Sequence, residues 1–158
     1  MDVTLKLVKN IITIDGPGGV GKGTLAFSLA KKLNWNVLDS GLIYRLIGYL
    51  YLKEGIDTSK KIISYINKSK IQLITNLNAG ICEIELNDKV LGKELRNENI
   101  ASKASKFAKE KEIRNVIIKI QRNAYDPKKG LIADGRDMGT IIFPEAALKV
   151  YLQASPEV

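Results

Sequence analysis

The chain has 158 residues, 45% of them apolar and 27% charged, with 25 lysines and arginines against 17 acids for a net charge of +8. That is the composition of a soluble globular protein able to bury one good core; no apolar run is long enough to cross a bilayer, and the first ten residues, MDVTLKLVKN, read as too short and too charged for a secretion signal. A single cysteine, Cys82, excludes an internal disulfide and fits a reducing cytoplasm, while the absence of histidine removes histidine general bases and the commonest zinc ligand. Only five of the 25 basic residues are arginine, leaving 20 lysines spread over helix faces and loops with no basic block interleaved with aromatics. Solvated lysine faces account for most of that charge without nucleic acid.

Ile11–Thr24 reads as an apolar strand, a glycine-rich loop and the start of a helix. Gly16, four residues, Gly21 and Lys22 have the phosphate-loop spacing, followed by Gly23 and Thr24. Wrapping a polyphosphate requires backbone N–H groups pointing inward, and side chains would block the approach, hence the glycines. The helix starting near Lys22 adds its free amides and positive dipole end, and Lys22 a mobile cation. The stretch predicts a nucleoside triphosphate site. After it, Leu25, Leu29 and Leu33, with Ala26 and Ala30, share one helical face. Residues 35–41, WNVLDSG, predict a short strand ending in a polar turn, and a helix follows from Leu42 to about Lys53. Ser59 is placed to cap a helix over Lys60–Lys68.

The hydrophobic period then changes. Ile71–Thr75 is a β-rich run, Asn76–Gly80 a turn, and in Ile81–Leu86 Cys82, Ile84 and Leu86 alternate with Glu83 and Glu85. With a short strand near Val90 this predicts an antiparallel meander in which Cys82 faces the core. Helical periodicity returns over Glu98–Phe107 and Glu112–Ala124. Pro127–Gly130 breaks the chain, Leu131–Asp134 is a short strand, Ala147–Leu152 reads as one more buried strand, and SPEV (155–158) as a helix start. Strands and helices alternating at both ends predict an α/β framework with a central parallel sheet, interrupted by the meander as an inserted subdomain.

Two stretches extend the chemistry beyond the loop. DSGLIYR (39–45) and GLIADGRDMGT (130–140) both follow strands, so their residues fall at the carboxyl edge where α/β proteins bind ligands. Asp134 has the context of the acid that holds Mg²⁺ in phosphate-loop proteins. In a chain that prefers lysine four to one, Arg45 and Arg136 both lie in these edge turns, where a planar guanidinium fork suits phosphate or a base edge.

GPGGVGKGT, LDSGLIYR, RNVIIKIQRN and GLIADGRDMGT together resemble the bacterial cytidylate kinase family, from about Ile11 to the last residue. The resemblance implies a three-layer phosphate-loop kinase fold, with a core of residues 1–41 and 111–158, a monophosphate-binding subdomain of residues 42–110 and a lid beyond residue 158. It implies phosphoryl transfer from ATP to CMP or dCMP, with ATP on Gly16, Pro17, Gly18, Gly19, Val20, Gly21, Lys22, Gly23 and Thr24. It places Arg45 and Arg136 on the CMP phosphate with Asp39 and Ser40 nearby, and Ser105, Arg114 and Asp137 around the cytosine. Cytosine presents an amine donor and two acceptors, so a carboxylate or hydroxyl facing the amine and a guanidinium facing the acceptors would read it. Uracil reverses two of these groups, and such mismatches reject an analogue by up to about 10⁴-fold. Arg96 matches a further family arginine and would order the insertion. Lys22, Arg45, Arg136 and Asp134 are the expected catalytic residues.

Gly23 stands where many phosphate loops carry a Ser or Thr metal ligand, so Thr24 is expected on phosphate and Mg²⁺ is expected mostly through water, with Asp134 its possible contact. Should 158 residues be the whole protein, without the arginine-rich lid of the family, ligand binding with much reduced turnover and marginal stability is expected. A cytoplasmic monomer with neither membrane nor nucleic-acid partners is the expected context. The alternatives are a uridylate or adenylate kinase, a phosphate-loop ATPase without an acceptor, and a basic RNA-binding module.

Overall fold

The computed structural model describes residues 9–155. In chain order its elements are β1 (Lys9–Asp15), α1 (Lys22–Leu33), β2 (Asn36–Asp39), α2 (Ser40–Lys53), α3 (Ser59–Lys68), β3 (Ile71–Asn76), β4 (Ile81–Leu86), β5 (Lys89–Leu91), α4 (Glu98–Phe107), α5 (Lys111–Asn123), β6 (Leu131–Gly135) and β7 (Ala146–Tyr151). A 3-10 turn at Lys93–Arg96 precedes α4, and a single π-helical turn at Met138–Ile142 follows β6. The chain divides into two compact units, one formed up to Leu38 and from Tyr125 onward, the other from Asp39 to Ala124. The protein is therefore α/β, with a central parallel four-stranded sheet and a separate antiparallel three-stranded sheet.

In the first unit the strand order is β2-β6-β1-β7. β1 runs parallel to β6, in register from Ile11 opposite Leu131 to Asp15 opposite Gly135, and parallel to β7 on its other side. The run IITID is apolar almost throughout because a central parallel strand is covered on both faces; Ile11, Thr13 and Ile14 are fully buried. Level registers bring the carboxyl ends of β1 and β6 side by side, so the glycine loop and the segment after Gly135 leave the sheet at one edge. The buried face of α1 is Ala26 and Ala30, small residues that allow close packing on the sheet, whereas Leu33 is 42% exposed and off that face. Two basic residues, Lys31 and Lys32, occupy the last turn of α1, where the dipole favours them.

The second unit is organised on α2, whose Leu42, Ile43, Leu46, Ile47 and Leu50 are buried. It approaches α4 so closely at Gly48 that a Cβ there would collide with the Ile100 carbonyl. The meander forms as its alternation predicts. β4 pairs antiparallel with β3 and β5, and Cys82, Ile84 and Leu86 are its buried positions, which makes Cys82 a packing residue.

Several boundaries differ from expectation for local reasons. The DSG segment is not a free turn: Asp39 caps α2 by accepting from the Leu42 N–H at 3.3 Å, so Ser40 and Gly41 already form the first helical turn. The cap of α3 is Thr58, in extended backbone and accepting from the Lys61 N–H, with Ser59 inside the helix. β7 is not buried: among the described residues it pairs with β1 alone, and Leu148 is 53% and Tyr151 68% exposed. The compact units divide at Asp39 and Ala124, so α5 groups with the second unit where the expected core began at residue 111. The helix expected from residue 155 falls, from Pro156 on, outside the described residues.

Candidate active site

The phosphate-loop stretch spans β1 to α1. Gly16, Gly19 and Gly21 all take positive φ, at 152°, 77° and 92°, the backbone signature of a loop that turns its amides to one side. At Gly16 the need is also steric, because a Cβ would run into the Leu152 carbonyl at the end of β7. Gly21 is the cap of α1 and has no side chain to take the helix's first amides, and no acid lies in its first turn. The positive end of α1 is thus presented to an incoming anion. The Lys22 ammonium donates to the Pro17 carbonyl at 2.7 Å, which folds the cation over its own loop.

From the neighbouring strand, β6 delivers Asp134 and then Arg136. A Cβ at Gly23 would stand 3.7 Å from Asp134 Oδ2, so this carboxylate lies beside the first turn of α1. A Cβ at Gly18 would stand 3.8 Å from Arg136 Nη2, so the guanidinium hangs over the tip of the loop. Gly16, Pro17, Arg136 and Tyr151 line a cavity of about 220 Å³. Lys22, Asp134 and Arg136 are therefore gathered round one loop within the first unit. Asp137 follows Arg136 at the head of the π-helical turn and is half-buried.

The remaining predicted residues belong to the second unit. Asp39, Ser40 and Arg45 lie in the cap and first turns of α2. The Arg45 side chain is half-buried, and its Nη1 donates to the Leu95 carbonyl at 3.2 Å. Leu95 is in the 3-10 turn, where Glu94 accepts from the Gly92 N–H at 3.0 Å; bonds from its own N–H and from that of Gly92 hold its carboxyl below the ordinary carboxylate value. Arg96 donates to the Cys82 carbonyl at 3.2 Å and so ties the turn to the meander. Ser105 is exposed on α4 with its hydroxyl bonded to the Ala101 carbonyl at 3.1 Å, and Arg114 is exposed on α5.

Two residues of the first unit went unread in the sequence. Tyr151 reaches the cavity from the end of β7, where it lies opposite Asp15. Asp15, buried at the end of β1, accepts from the Met138 and Gly139 amides. It has the same sequence signal as Asp134, an acid closing an apolar strand ahead of a glycine.

For a divalent cation the donor set is sparse. Gly23 contributes no side-chain oxygen, and among the described residues no three acidic or cysteine side chains cluster. The set fits an ion carried mainly by phosphate and water, with the Asp134 carboxylate near it. No helix among the described residues is long and apolar enough to cross a membrane.

A family model described as Cytidylate kinase matches residues 12–158. A cytidylate kinase of Pseudomonas syringae pv. tomato is 42% identical over 155 residues, covering 97% of this chain and 67% of the relative. One from Pseudomonas fluorescens is 41% identical over 152 residues, with 93% and 65% covered. One from Azotobacter vinelandii is 40% identical over 149 residues, with the same 93% and 65%. The chain thus spans about two thirds of the length of the curated relatives it matches.

Proposed function

The chain belongs to the cytidylate kinase family, and we propose that it transfers the γ-phosphoryl group of ATP to CMP or dCMP, giving ADP and CDP or dCDP. The observation that carries this reading is Arg136 beside Gly18, a guanidinium over the tip of a triphosphate loop, where a second anion has to be drawn toward the first.

In this reading the residues from Gly16 to Thr24 wrap the triphosphate, all but Pro17 able to donate a backbone amide, and Lys22 leaves the Pro17 carbonyl for the terminal phosphates. An oxygen of the CMP phosphate attacks the γ-phosphorus in line, and the bond to the bridging oxygen breaks with ADP as leaving group. The acceptor is already ionised, so no general base is required, and the protein's work is positioning and neutralisation. Arg136 offsets the repulsion between the two anions. Mg²⁺, when bound with ATP, would supply charge neutralisation, and Asp134, beside Gly23, is the residue that would orient it or its waters, with Thr24 on phosphate.

In the second unit Arg45, with Asp39 and Ser40, is assigned to the CMP phosphate, and Ser105 and Arg114, with Asp137 of the first unit, to the cytosine. The Ser105 hydroxyl is bonded only to its own helix, an interaction it can exchange for the base. A monomer in the cytoplasm is the proposed context, and the lone, buried Cys82 fits a reducing compartment.

A coupled assay of ADP release over CMP, dCMP, UMP and AMP tests this. ADP release should depend on CMP or dCMP and fall by about 10²-fold or more in Lys22→Ala. Release independent of any acceptor would point to an ATPase, and a preference for UMP or AMP would remove the base-reading roles of Ser105, Arg114 and Asp137.

A further inference from the structure

Asp15 is 7% exposed, and a carboxylate that deep needs strong partners. Its partners are two consecutive backbone amides 123 and 124 residues later in the chain: Oδ1 accepts from Met138 N–H and Oδ2 from Gly139 N–H, each at 2.8 Å. One oxygen per amide makes a two-pronged bond that resists rotation as well as displacement.

The receiving turn is shaped for it. In the π-helical turn the Ile142 N–H reaches back to the Asp137 carbonyl at 3.2 Å and the Phe143 N–H to the Met138 carbonyl at 2.7 Å. The amides of Met138 and Gly139, at the start of the turn, have no such partner behind them and are left for an outside acceptor. Gly139 also sits tightly on β1, where a Cβ would stand 2.7 Å from Thr13 Oγ1, so the turn is seated as well as bonded. On its backbone side Asp15 is fixed again: its carbonyl accepts from the Leu152 N–H at 2.8 Å, and the next residue, Gly16, opens the glycine loop.

We infer that Asp15 is a positioning residue which sets the Arg136–Asp137 turn at a defined distance from the phosphate loop, so that one residue registers the acceptor-side arginine against the donor cradle. The inference rests on the proposed assignment of Arg136 and Asp137 to CMP. Its side chain reaches only the turn, while the loop hangs on its backbone. Loss of the carboxylate should therefore release the acceptor side and leave the donor side in place.

Asp15→Asn tests this, because it keeps the size of the side chain and sets an NH₂ group against one of the two amides. Calorimetric titration of wild type and variant with CMP and with ATP, alongside a melting curve, should show CMP affinity about tenfold weaker and ATP affinity within about twofold. A purely structural role would lower the melting temperature and weaken both nucleotides together, and that result, or no change in either, overturns the inference. NMR of the wild type gives an arm that needs neither the variant nor a nucleotide. Scalar couplings across the hydrogen bonds should link the Met138 and Gly139 nitrogens to the Asp15 carboxyl carbon, and their absence at both amides overturns the clamp. Wild-type protein that binds no CMP would sink the proposed function, and the couplings would still decide whether Asp15 holds the turn.

Discussion

Arg136 in the first unit and Arg45 in the second are placed by opposite means. Arg45 is held by its own guanidinium, half-buried and bonded to the Leu95 carbonyl. Arg136 is exposed, and what is held is the backbone beside it, through the bonds from Asp15 to Met138 and Gly139. The first arrangement spends one of five guanidinium N–H donors on the protein and makes the residue part of the fold. The second keeps the donors for a ligand and moves the structural load to a residue that need never meet one. An arginine placed the first way should matter to stability and activity alike, and one placed the second way to activity only.

The largest effect tests that distinction directly. Arg45→Ala and Arg136→Ala should each lower CMP-dependent ADP release by about 10²–10³-fold, the scale for removing one charge-stabilising donor. They should part in calorimetry. Arg45→Ala loses a charge-assisted bond to a carbonyl and should melt about 2–4 °C lower, whereas Arg136→Ala should melt within about a degree of wild type. Equal melting temperatures would break the comparison.

Smaller, and confined to the second unit, is Gly48→Ala. The added methyl would meet the Ile100 carbonyl and the Ala104 nitrogen, both backbone atoms with little room to yield. Forcing α2 from α4 should cost about 1–3 kcal/mol and, since α2 carries Arg45, raise the KM for CMP while leaving ATP affinity within about twofold. An unchanged melting temperature would mean that α2 is not braced there.

How far these features can be read in the sequence depends on the range of the forces behind them. The meander was legible because its signal is local: Cys82, Ile84 and Leu86 alternate with acids, and the burial of β4 follows that alternation. The phosphate loop was legible because its glycines answer a backbone demand within a few residues, met here by the positive φ of Gly16, Gly19 and Gly21. Asp39 was singled out, but its work as a helix cap was missed, and with adjacent Thr58 and Ser59 only the backbone conformation decides which one caps. β7 was misread because an apolar run says nothing of whether a neighbouring strand lies on each side; among the described residues β7 pairs only with β1. The Asp15 bonds had no local signal at all, since their acceptor and donors are 123 residues apart or more. Nor does the π-helical turn show itself in the sequence, since its bonds follow neither the strand nor the α-helical period.

The smallest expected effect concerns the seat of Arg45. Glu94 accepts from the Gly92 N–H at the start of the turn whose Leu95 carbonyl holds the guanidinium, and its carboxyl lies below the ordinary value of 4.5 because of bonds from its own N–H and that of Gly92. A carboxyl lowered on folding stabilises the folded state fully above its unfolded pKa, and that contribution fades as pH falls through the lower, folded value. Acid should therefore loosen the turn at Gly92–Arg96 and with it the Arg45 anchor, over a window that begins near 4.5 and extends below it. The group is solvent-exposed, so the change in melting temperature should be slight. Glu94→Gln retains an acceptor oxygen for the Gly92 N–H but does not titrate, so its melting curve should lose the part of the acid dependence that Glu94 confers. Melting curves of wild type and Glu94→Gln measured across that window should converge at low pH if the turn is held as described. Curves that stay parallel throughout would show that the Leu95 carbonyl that holds Arg45 is fixed by the rest of the unit and not by this carboxylate.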